Sequence, residues 1–257
     1  MRGAWLENLT WPEAEQRLNQ NALVVLPVGA AAKEHGPHLP LGTDRLVAQA
    51  LATRIAEALP VLVAPILCFG YYPAFSRYPG SQHLRAETFI ALVTEILAKL
   101  VADGAQRLVI VNTGVSTEAP LRIAVRDILD KTGVRVAIAD IARLGTRITT
   151  EDKQKIGGHA DSFETSLMLA IAPDLVRLER ARTDYGHAAE EPKTVFYRPV
   201  RFSPDPGAGL DYSATGARGD PTLADRATGM RLLDEMAREL IEGIRALYPD
   251  IAAQQSD

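Results

Sequence analysis

The chain holds one cysteine, Cys68, in 257 residues. A single cysteine cannot form an intrachain disulfide. Beside the apolar run Val61 to Leu67, Cys68 reads as a small buried hydrophobe rather than a nucleophile. An excess of positive charge is also missing. The net charge of -4 argues against nucleic acid or an anionic membrane as the main partner, since both reward a basic patch. The densest arginine cluster, Arg177, Arg180 and Arg182, is interleaved with Leu178, Glu179 and Ala181 and reads as a solvated helix end. No apolar run approaches the ~20 residues needed to span a bilayer. The N-terminus lacks a basic stretch followed by an apolar one, so no signal peptide is expected and the cytoplasm is the default location. Internal repeats and low-complexity tracts are absent as well.

The apolar fraction of 47% and the charged fraction of 23% are ordinary for a globular protein. The length lies near the upper size for one hydrophobic core, so a single domain over residues 1–257 is expected, with a frayed tail at Ala252 to Asp257. Continuous apolar runs at Leu23 to Val28, Val61 to Leu67, Leu108 to Asn112 and Val134 to Ala139 predict strands covered on both faces. Amphipathic helical patterns lie between them at Asp44 to Ala58, Ala86 to Ala102 and Thr117 to Lys131. Further helices are predicted at Asp161 to Ala172 and Leu223 to Leu247. This alternation predicts an α/β fold, a three-layer sandwich around a mainly parallel sheet. The stretch Thr183 to Gly219 is rich in Gly, Pro, Asp and aromatics, and is too long for an idle connection.

The densest polar cluster, Lys33 to Asp44, follows the first of these strands. Ligands bind beyond the C-terminal ends of parallel strands, and His with carboxylate suits zinc, iron or manganese. Three later segments are candidates to join it: Thr113 to Glu118, Gly157 to Ser166, and Gly219 to Ala224. Each also has a structural explanation, with Ser116 or Thr117, Asp161 and Asp220 as helix caps.

The run His35-Gly36-Pro37-His38-Leu39-Pro40-Leu41-Gly42-Thr43-Asp44 resembles the most characteristic stretch of the creatininase (creatinine amidohydrolase) family. Leu26 to Gly29, Tyr78 to Ser81, Glu164 to Leu169 and Gly219 to Pro221 match further segments in the same order, so the resemblance spans about Leu23 to Leu247. It implies a creatininase-like α/β sandwich, commonly a homohexamer, that hydrolyses a cyclic amide or similar C–N bond of a small molecule with metal-activated water. It also implies two divalent ions bridged by Asp44, with His35 a metal ligand, Glu164 a carboxylate near the metals, and His159 handling substrate and protons. Tyr78 and Ser116 are expected to line the substrate pocket.

Two departures fall on the same metal of the pair. Lys33 stands where the family places a Glu two residues before the first His, and Gly114 stands where an N-G-H motif supplies a His. Gly157 and Gly158 also leave no side chain where creatininases carry a carboxylate beside the later His. One expectation follows: Lys33 replaces one ion, and a single metal remains on His35, Asp44 and Glu164, with His159 protonating the leaving nitrogen. In the alternative, Glu34 turns inward and His83 reaches the space at Gly114, rebuilding a two-metal site. His38 is expected to orient a ligand, and Glu118 is a weaker candidate ligand. Lactone hydrolysis at the same site, or a non-catalytic scaffold or small-molecule binder, are the competing functions.

Overall fold

A computed structural model describes residues 2–149, 154–186, 194–196, 200, 202–203, 205–208 and 213–252. Five strands form one sheet in the order β1-β3-β2-β4-β5, all parallel: β1 (Ala4–Trp5), β2 (Leu23–Val28), β3 (Leu62–Val63), β4 (Arg107–Asn112) and β5 (Val136–Asp140). Parallel neighbours need crossover connections. These are α2 (Thr43–Ala58), α3 (Ala86–Ala102) and α4 (Glu118–Thr132). The helix α1 (Trp11–Asn19) precedes β2, and α5 (Thr146–Thr149), α6 (Ser162–Ile171) and α7 (Arg226–Leu247) follow β5.

Strand side chains alternate between the two faces, and the two cores follow that alternation. Leu23, Val25, Val109 and Val111 point to one face, which α2, α6 and α7 cover through Leu51, Ile55, Met168, Leu233 and Met236. Val24, Leu26, Leu108 and Ile110 point to the other, covered by α3 and α4 through Phe89, Val93, Leu121 and Ile128. The result is the expected three-layer sandwich.

Three local differences have physical causes. The strand expected over Val61 to Leu67 shrinks to two residues, because Pro65 has no N–H to give to the ladder; a bridge between Val28 and Leu67 resumes it. The last helix begins at Arg226, since Asp225 caps it by accepting from the Thr228 amide, while Pro221–Leu223 forms a separate turn. The sequence reading missed β1 and α1, although Thr10-Trp11-Pro12-Glu13 carries a start signal in which Glu13 accepts from the Thr10 amide at 2.7 Å. Residues 253–257 of the tail expected to fray lie outside the described residues. No helix among the described residues is long and apolar enough to cross a membrane.

Candidate metal centre

The segment between β2 and α2 follows the C-terminal end of β2, and Asp44 lies in the first turn of α2. Thr113, just beyond β4, holds this corner by donating its hydroxyl to the main-chain carbonyls of Asp44 at 2.8 Å and Val28 at 3.1 Å. Lys33, Glu34, His35, His38 and Asp44 are all buried as a result.

Lys33 Nζ lies 2.8 Å from Asp44 Oδ2, close enough for an ion pair but not aligned as a hydrogen bond, so Oδ2 has no aligned donor. Burial disfavours the ammonium, yet Asp44, Glu164 and Glu34 together outweigh it and hold the Lys33 pKa above its ordinary value. Burial likewise opposes charge on Asp44, but Lys33 and His35 hold that carboxyl well below the usual carboxylate range. Three carboxylates thus act on this one ammonium.

His35 Nδ1 lies 2.9 Å from the carbonyl oxygen of Lys33. A carbonyl only accepts, so Nδ1 carries the ring proton. The Nε2 lone pair then faces Asp44 Oδ1 at 2.9 Å, and two acceptors at that separation need a second proton or a shared cation between them.

His159 reaches the same place from far along the chain. Its main chain pairs antiparallel with Arg218, through His159 N to Arg218 O at 3.3 Å and Arg218 N to His159 O at 2.6 Å. It precedes α6, and Asp161 is the cap, accepting from the Phe163 and Glu164 amides. Ala160, between them, takes a left-handed φ of 47°. Glu164 Oε2 accepts the Ala160 amide at 2.5 Å and lies 3.6 Å from His159 Nδ1. Burial raises the Glu164 pKa, against the opposing pull of His159 and Lys33.

One ligand atom each from His35, His159 and Glu164 falls within 4.8 Å of the other two. The centroids of the two rings are 4.9 Å apart, and the Phe75 ring centroid lies 4.4 Å from that of His159. This donor set fits a divalent ion: two imidazoles, a carboxylate and, on His35, a lone pair already facing Asp44.

The remaining expected residues divide. Tyr78 and Ser116 line a cavity of about 130 Å³ together with Lys33, His159 and Glu164. Tyr78 donates to the carbonyl of Ser213 at 2.5 Å, which joins two residues of the cavity wall. His38 stays behind the centre, 2.8 Å from Thr165 Oγ1, and burial pushes its pKa down to about 4. Glu34 turns inward, but toward His159 rather than into the three-ligand group. His83 sits 6.0 Å from Tyr72 and 3.1 Å from the Leu84 carbonyl, outside the cavity wall. Glu118 faces Arg122 and Arg143. Beside Gly114 and Asp44 only about 10 Å³ is open, room for about one water. Phe75, Phe202, Gly216 and Arg218 also line the cavity. The sequence reading did not pick them, because nothing local marks a residue as the far wall of a site.

The family model for creatininase, creatinine amidohydrolase, matches residues 7–244. The chain is 30% identical over 267 residues to creatinine amidohydrolase of Pseudomonas putida, covering 96% of this chain and 98% of the relative. It is also 30% identical over 236 residues to the mycofactocin precursor peptide peptidase of Mycobacterium tuberculosis, covering 88% and 86%. A solved creatininase variant of the Zn-Zn type matches with a TM-score of 0.78 at 28% identity, covering 95% of this chain and 98% of that one. The chain belongs to the creatininase family.

Proposed function

We propose that this chain is a metal-dependent amidohydrolase that cleaves a C–N bond of a small cyclic amide or related amide with water. The observation that carries the reading is the His35, His159 and Glu164 group, of which His159 and Glu164 line a cavity that Lys33 also lines. At about 130 Å³ the cavity is well below the size of pockets for drug-sized ligands, which suits a small ring.

His35, His159 and Glu164 would hold one divalent ion, zinc, iron or manganese. This takes His159 from the expected proton-transfer role to that of a ligand. Bound there, the ion supplies a Lewis acid and a water acidified toward neutral pH. The ammonium of Lys33 supports a single ion rather than two, because it already pairs with Asp44, the carboxylate expected to bridge a second ion. Facing the cavity, Lys33 Nζ is also the donor for the amide carbonyl oxygen, where charge builds as water adds. Phe75 keeps water from one face of His159, while Tyr78 and Ser116 form walls against which the substrate rests. The family resemblance further supports a homohexamer, which light scattering checks.

Elemental analysis of wild type and His35→Ala, purified without added metal or chelator, tests the reading. One divalent ion per chain, lost in the variant, is expected, with cyclic-amide hydrolysis stopped by a chelator. Two ions per chain would overturn the single-metal site. No uptake after reconstitution would turn the chain into a non-catalytic binder.

A further inference from the structure

We infer that Glu34 is a positioning residue that fixes the tautomer of His159, so that Nδ1 presents its lone pair to the metal centre. Two oxygens of Glu34 converge on one ring nitrogen. The main-chain carbonyl lies 2.9 Å from His159 Nε2, and carboxylate Oε2 lies 3.1 Å from it. Neither oxygen carries a proton to give when the carboxylate is ionised, so the hydrogen must sit on Nε2. In a neutral imidazole that leaves Nδ1 bare, and Nδ1 is the nitrogen 3.6 Å from Glu164 Oε2.

The surroundings of Glu34 are built to keep it there. Its main-chain amide donates to Ser81 Oγ at 3.0 Å, and its Oε1 accepts from the Gly36 amide. Gly36 has a φ of +70°, which turns that amide back onto the carboxylate. On the far side Gly216, at φ +80°, leaves space that any Cβ would take from the carboxylate of Glu34. The buried carboxylate thus spends both oxygens inside the protein, one on Gly36 and one on the ring. It acts on the centre through His159 and not as a ligand. A carboxylate behind a ligating imidazole orients the ring and raises its basicity.

The tautomer follows from the hydrogen bonds alone, whereas its purpose rests on the proposed metal site. The two are tested separately. In metal-free protein labelled with 15N-histidine, at pH 8, the His159 signals are assigned with His159→Gln. Nε2 should carry the proton and Nδ1 should not. A proton on Nδ1, alone or with Nε2, would overturn the inference. Co2+ titration followed by its visible absorption then reads the purpose. The isosteric Glu34→Gln variant sets an amide NH2 against a donor at Nε2 or at Gly36, and its Co2+ affinity should fall on the order of 10- to 100-fold at unchanged stoichiometry. Affinity within twofold of wild type would refute the positioning role. If wild type itself takes up no Co2+, the metal reading falls, and the tautomer still stands or falls on the metal-free spectrum.

Discussion

Replacing Lys33 by Met removes an ammonium from the middle of three carboxylates and keeps the volume of its stem. In wild type, Nζ and Asp44 Oδ2 are 2.8 Å apart, with side chains only 8% and 3% exposed. Only the small spaces beside the pair could bring water to the uncompensated charge. Removing one partner of a buried pair leaves the other uncompensated and costs about 3–5 kcal/mol. For a chain of this size that is a fall in melting temperature on the order of 10 °C. The assay is thermal unfolding in the presence of a chelator, for Lys33→Met, Asp44→Asn and the double variant. The double variant should recover most of the loss, because it removes both charges together. Added Zn2+ should stabilise Lys33→Met more than wild type, since the variant has a larger uncompensated negative charge. A Lys33→Met variant within about 1 kcal/mol of wild type would refute the view that this ammonium answers the surrounding carboxylates.

Acid should weaken the fold through His38. Its pKa is about 4 in the folded protein against about 6.5 unfolded; the unfolded chain therefore takes up the proton first, and stability is lost as pH falls from 6.5 toward 4. This one group should remove about 2 kcal/mol between pH 7.5 and pH 5, and His38→Gln should flatten that part of the profile in urea unfolding. Gly216→Ala combines a strained left-handed φ of +80° with a collision at the Glu34 carboxylate, so it should cost about 1–3 kcal/mol and displace the His159 ring, seen as altered 15N shifts. Gly229→Ala drives a methyl into the Ser166 carbonyl where α7 crosses α6; thermal unfolding should show a loss of about 1–3 kcal/mol, and no loss would mean that the helices separate freely.

The sheet was legible because its strands are continuous apolar runs and its crossovers are amphipathic, both local signals. Short or interrupted pieces were not. The pair Ala4–Trp5 is too brief to show a period, and Pro65 ends a run that hydrophobicity alone would continue. The same divide holds at the site. Lys33, His35 and Asp44 stand close in sequence after one strand, and the structure brings them into contact. The partner of Glu34 was beyond reach, because the contact with His159 spans 125 residues and depends on a carboxylate direction set by Gly36. The reading of Asp161 as a helix cap agrees with the structure, and its partner Gln154, 3.1 Å away, carried no local signal.

The pairing of His159 with Arg218 has a consequence for biosynthesis. All five strands are complete by Asp140, before the ribosome has made His159. A nascent chain can thus assemble its sheet while the cavity still lacks the wall that Gly216 and Arg218 supply. During that interval the face later covered by α6 and α7 is bare apolar surface, the kind that associates with other chains or with chaperones. The His159 side of the site is closed late, by a short bridge between residues that share no secondary-structure element. A chain stopped anywhere between Asp140 and Arg218 would therefore lack the Arg218 partner of His159 and the α7 side chains that cover one face of the sheet.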